Sequence, residues 1–99
     1  MFVLELTYTA PVEQVDALRT DHVAWLDAQY ETGVFLASGR KQSRDGGVIL
    51  AVADSRAEIE AVVAEDPFTT GGVCAYRITE FAATKTVPGL EPYRQAPVA

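Results

Sequence analysis

His22, the only histidine of the chain, and the carboxylate of Asp66 are the two side chains best suited to moving a proton. An unperturbed imidazole ionises near pH ~6.5, so it can take up and return a proton close to neutrality. Asp66 stands in Glu65-Asp66-Pro67-Phe68. Asp before proline is an ordinary helix N-cap with proline at the first helical position. Capping and chemistry are compatible, because a capping carboxylate has a second oxygen free to orient an imidazole. His22 has a plain reading too, as a packed and hydrogen-bonded core residue. If the pair meets in space, His22 is a general acid/base, Asp66 orients it, and the two form the centre of a small-molecule site.

Ser38 precedes Gly39 near the end of an apolar run. No nucleophile-elbow pattern surrounds it, so it reads as a ligand hydrogen-bond donor rather than a hydrolase serine. Arg40, Lys41 and Arg44 place three of the eight cations around one hairpin of a chain with net charge −6. Such a cluster is either a solvated surface or an attractor for an anionic substrate. Trp25, Phe35, Phe68 and Tyr76 read first as core. Ser38, Arg40 and Phe68 are the residues assigned to substrate contact. Cys74 stands alone, so there is no internal disulfide, and it reads as a small buried hydrophobe. One histidine and one cysteine cannot by themselves build a zinc or haem site, and no clustered acidic motif suggests Mg²⁺. Neither a metal nor a cofactor is expected.

The elements that must position these residues follow from periodicity. Phe2 to Thr9 alternates as a strand and Pro11 ends it. Glu13 to Tyr30 is helical, with Val15, Leu18, His22 and Leu26 on one stripe. Thr20-Asp21 reads as a capping pair that could divide this helix in two. Val34 to Lys41 is a second strand, and Arg44-Asp45-Gly46-Gly47 is turn chemistry leading into Val48–Ala53. Ser55 with Glu58 is a capping box that opens a second helix carrying Ile59, Val62 and Val63. Asp66-Pro67 starts a short turn, and Val73 to Thr84 is the last strand, with Cys74 and Tyr76 on the face opposite Val73 and Ala75. Residues 87–99 carry Pro88, Pro92 and Pro97 and read as an extended tail outside a domain at 1–86.

Strand, helix, strand, strand, helix, strand is the ferredoxin-like α+β order: a four-stranded antiparallel sheet with helices on one face. The run Val48-Ile49-Leu50-Ala51-Val52-Ala53 is apolar at every position, which implies that both sheet faces are covered. A second copy packing sheet to sheet would cover the free face, so a homodimer is expected.

Composition narrows the function classes. Hydrophobic residues make up 48% of 99, enough for one folded domain. The net charge of −6 argues against nucleic acid and against anionic lipid. No apolar run is long enough to span a membrane, and the N-terminus lacks a basic signal-peptide region. The expectation is a soluble cytoplasmic domain acting on a small molecule.

His22-Val23-Ala24-Trp25-Leu26, Gly33-Val34-Phe35-Leu36-Ala37-Ser38-Gly39, Gly46-Gly47-Val48-Ile49-Leu50 and Asp66-Pro67-Phe68, in that order, resemble the YciI-like (YCII-related) family over about residues 1–86. The resemblance implies a dimeric α+β barrel with a His–Asp dyad at His22 and Asp66 and with Ser38 near the same pocket. It also implies lyase-type or dehydrohalogenating steps on small ring compounds; with the residues above, the expectation is elimination or isomerisation of a small ring compound, anionic or phenolic, without metal or nucleotide. The alternative is a non-catalytic ligand-binding or accessory module of the same fold.

Overall fold

Phe2, Leu4 and Leu6 alternate with Val3, Glu5 and Thr7, and the strand they form lies inside a sheet rather than at its edge. The computed structural model describes residues 1–98. Its order is β1 (Phe2–Tyr8), α1 (Val12–Glu31), β2 (Phe35–Arg40), β3 (Gly46–Ala51), α2 (Arg56–Ala64), α3 (Pro67–Thr70) and β4 (Cys74–Glu80). The four strands are antiparallel in the order β2-β3-β1-β4, the ferredoxin-like arrangement expected. In register, Leu4 lies between Ile49 and Ile78, and Leu6 between Gly47 and Tyr76. These side chains share the helix-covered face. Val3, Glu5 and Thr7 lie on the other face with Leu50, Val48 and Arg77.

Between β2 and β3 the turn closes with Arg44 in the left-handed region, at φ 63°. Gly46 is required on two counts. Its φ is +156°, and a Cβ there would stand 1.9 Å from the carbonyl oxygen of Leu6.

α1 is a single helix, without the break that Thr20-Asp21 could have introduced. Both residues are exposed, so neither side chain has to cap a freed N–H. Val15, His22 and Trp25 bury one continuous face, and that tertiary contact outweighs the weak local preference. α2 starts as its capping box suggests, with the Ser55 hydroxyl accepting from the Glu58 N–H at 3.3 Å. Glu58 reaches back to the N–H of Asp54 at 3.1 Å.

The core has two parts. Phe2, Leu4, Trp25, Phe35, Ile49, Ala51, Ile59 and Val63 form one. Leu6, Val15, Phe68 and Val73 form the other, beside α3. The proline-rich tail departs from a fully extended run, because Pro88–Tyr93 makes a 3-10 helix. Proline is tolerated in a first helical turn, where its missing N–H has no partner to lose. Gln95 then bonds the carbonyl of Ala83 at 2.9 Å. No helix among the described residues is long and apolar enough to cross a membrane.

Candidate active site

Asp66 is placed by the end of α2. The N–H of Asp66 bonds the carbonyl of Val63 at 3.1 Å, and Pro67 starts α3 with Asp66 as N-cap. Oδ1 of Asp66 accepts from the Phe68 N–H at 2.9 Å, the cap anticipated from Asp-Pro. The same oxygen lies 2.7 Å from Nδ1 of His22, 44 residues away in the chain. Oδ2 accepts from the Tyr76 hydroxyl at 2.5 Å. Three donors from α1, α3 and β4 thus meet one carboxylate that is 0% exposed. A carboxylate buried this deeply costs several kcal/mol unless such donors satisfy it.

The imidazole is held as tightly as its partner. Phe68 stacks on it with ring centroids 3.9 Å apart and planes 8° from parallel. Trp25 lies 5.6 Å away on the same helix. A carboxylate only accepts, so Nδ1 of His22 carries the proton of this bond and Nε2 is the basic nitrogen. Nε2 has no hydrogen-bond partner among the described residues and is not sealed from solvent.

His22 lines a cavity of about 170 Å³ between α1 and the sheet. From α1 come Arg19, His22, Val23 and Leu26, and from the sheet Leu6, Tyr8, Ser38, Arg40 and Ile49. The opening has a local cause. Gly47 pairs with Leu6 on one side and Arg40 on the other, on the face covered by α1. Without a side chain it leaves a depression beneath the helix. Ser38 at the rim is hydrogen-bonded to the Tyr30 hydroxyl at 2.5 Å.

Two neighbours of Asp66 have raised proton affinities. Burial, and then the Asp66 carboxylate that it bonds, hold the Tyr76 hydroxyl well above its ordinary range. It therefore stays a donor. Burial first, and the Asp66 charge second, push the Cys74 thiol up to about 11. A thiol with so little thiolate is not a nucleophile near neutrality. Among the described residues no three His, Cys, Asp or Glu side chains gather into a metal-binding group.

The structure brings together His22 and Asp66 and sets Ser38 and Arg40 in the adjoining cavity wall. Phe68 is placed differently. It is 1% exposed and lies against the imidazole, outside the cavity lining, because it anchors α3 in the core. Of the three hairpin cations only Arg40 reaches the cavity. Lys41 turns to the opposite sheet face and bonds Glu5 and Thr7 at 3.2 and 3.1 Å, as strand alternation requires.

Three contributors were missed in the sequence. Tyr76 was read as core, yet a buried tyrosine hydroxyl needs a partner, and that requirement was the available signal. Arg19 precedes His22 by three residues and so shares its helix face, a spacing visible in advance. Tyr8 shares the strand parity of Leu4 and Leu6, which places it on their face of the sheet.

The YCII-related domain model matches residues 1–82. Comparison with curated proteins gives no match. Among solved structures, the chain is similar to 5-chloro-2-hydroxyhydroquinone dehydrochlorinase (TftG) from Burkholderia phenoliruptrix AC1100 in complex with 2,5-dihydroxybenzoquinone. The TM-score is 0.64 at 20% identity, covering 82% of this chain and 93% of that one, which is a likeness of fold.

Proposed function

The chain belongs to the YCII-related domain family, and from that premise we propose that it is a small-molecule enzyme using His22 and Asp66 for general acid/base chemistry on a small ring compound. One observation carries the reading: Nδ1 of His22 is fixed on a fully buried carboxylate while the ring lines a cavity. A cavity of roughly 150 Å³ accepts a benzene-sized ring, and this one is of that order. The dehydrochlorinase that shares the fold is described with a one-ring ligand, which supports the same substrate class.

In an elimination, Nε2 takes a C–H or O–H proton from the substrate. The electron pair left behind forms the new π bond, and the leaving group departs with the pair of its own bond. Asp66 balances the imidazolium, and the proton passes on to water. In an isomerisation the imidazolium returns the proton to a different carbon. Phe68 and Trp25 keep the ring from turning, so orientation is set before substrate arrives. Ser38 and Arg40 hold the ligand.

The test is turnover of halogenated hydroquinones and related one-ring acids, followed in deuterated water so that proton exchange at carbon is also scored. Activity should drop by about 10²-fold or more in His22→Ala. Saturable binding without turnover, indifferent to that change, would instead identify a ligand-binding module.

The same proposal extends to assembly. Val48 is 39% exposed on the uncovered sheet face, beside half-buried Val3 and Leu50. A second copy packing on this strip would form a dimeric α+β barrel, with residues 1–86 as the working unit and 87–99 as an appended tail. Sedimentation should give twice the 10.7 kDa chain mass. A soluble monomer at micromolar concentration rules this assembly out.

A further inference from the structure

The chain carries 14 acidic and 8 basic residues, yet the cavity beside His22 has the opposite balance. Arg19 and Arg40 line it, and no Asp or Glu does. The wall itself presents two cations and no carboxylate, and the acid that pairs with Arg19, Asp16, stands outside the lining, so the site is less negative than the net charge of −6 would suggest. The remaining walls include Leu6, Val23, Leu26 and Ile49, which suit the faces of a ring.

Arg19 is the better placed of the two arginines. It lies on α1 three residues before His22, so the two side chains emerge on one helix face about one turn apart, roughly 5 Å. Its side chain is 32% exposed, whereas Arg40 is an exposed residue at the end of β2. Asp16 accepts from Nε and Nη2 of Arg19 at 3.1 and 2.9 Å through one oxygen, which fixes one edge of the guanidinium. Nη1 forms no hydrogen bond among the described residues, and the Tyr8 hydroxyl is the other polar neighbour of the guanidinium.

We propose that Arg19 is the anion-binding residue of this cavity and that the ligand is a one-ring acid, ionised at an oxygen on the edge remote from His22. This deepens the catalytic reading above and rests on it. Arg19 touches the ionised oxygen and His22 the atom that gains or loses the proton. Substrate is thereby selected by charge as well as by shape, because an uncharged isostere forgoes the charge-assisted hydrogen bond to the guanidinium.

Benzoate and benzamide test the assignment, being nearly equal in shape and different in charge. Binding is measured by calorimetry, and occupancy of the cavity by the ring-proton resonances of the single histidine. Benzoate should shift those resonances and bind at least about tenfold more tightly than benzamide, as loss of one charged hydrogen bond implies. Arg19→Gln should remove most of that preference. Arg19→Lys, which keeps charge but not the planar fork, should keep part of it. Equal affinities, no binding of benzoate, or a preference undiminished in Arg19→Gln each overturn the assignment. If Arg19→Gln fails to fold, the wild-type comparison and Arg19→Lys still decide. The catalytic reading is judged separately, by turnover in His22→Ala, so either can fail without the other.

Discussion

Ile59 and Asp66 are both 0% exposed and stand at opposite ends of one short segment, but their surroundings have little in common. Ile59 lies in the cluster with Phe2, Leu4 and Ala51, where no polar group needs a partner. Removing such a side chain from water stabilises the fold by about 1.5–3 kcal/mol without demanding precise geometry. Asp66 contributes nothing of that kind. Its burial is unfavourable by itself and is offset only because His22, Phe68 and Tyr76 all donate to it. An apolar side chain of similar volume, with matching neighbours, would be as stable there or more so. The first region therefore explains why the chain folds. The second is held by polar contacts that fix an imidazole at the cavity wall, the arrangement on which the proposed chemistry rests.

The sharpest way to break this contrast is to truncate both residues. Asp66→Ala should destabilise by about 3–5 kcal/mol, since it leaves three donors without an acceptor. Ile59→Ala should cost about 2–4 kcal/mol through lost burial and a residual cavity. Urea denaturation reads both. Turnover per folded molecule should collapse in the first variant and persist in the second. An Asp66→Ala protein less than about 1 kcal/mol below wild type would mean that the carboxylate is not the organising group described here.

Tyr76→Phe sharpens the comparison by removing a single donor. The expected loss at neutral pH is about 2 kcal/mol, the range for a hydrogen bond to a charged group. The pH dependence has a definite sign. The folded pKa of Tyr76 is raised above its ordinary 10.0, by burial first and by Asp66 second. Its contribution is fully present below pH 10 and is lost as pH rises toward the folded value. Wild type should therefore lose stability more steeply than Tyr76→Phe above pH 10, and the two curves should converge. Parallel curves through the alkaline range would show that the hydroxyl is not held as described.

The smallest effect is a matter of rate. Cys74 is raised from 9.0 to about 11, so at pH ~8 it holds about a hundredfold less thiolate than an ordinary thiol. Iodoacetamide should label the folded protein about a hundredfold more slowly than the urea-unfolded chain. Asp66→Asn removes the second cause of the shift and should quicken labelling of the folded state several-fold. A rate unchanged by Asp66→Asn would mean that burial alone protects the thiol.

Much of the architecture was legible because its signals are local. Alternation in Phe2–Tyr8, the capping box at Ser55 and the Asp66-Pro67 cap each depend on side chains a few residues apart. The parity of β4 put Cys74 and Tyr76 on one face, and pairing with β1 turns that face toward the helices. The break that Thr20-Asp21 could have made does not form for the complementary reason: a capping preference worth ~1 kcal/mol yields to a helix face buried from Val15 to Trp25.

The sequence by itself determined the element order, the fold class and the two residues most suited to proton transfer. Their types and local spacings carry that information directly. It also held the spacing of Arg19 and His22, which shares a helix face whatever the rest of the chain does. Only the tertiary structure decided that Tyr76 completes the set of donors around Asp66, that Phe68 backs the imidazole instead of lining the cavity, and that Gly47 leaves the space beneath α1. Each of these depends on contacts between elements distant in the chain. Local propensity does not encode such contacts, and packing of the whole buried layer must fix them together.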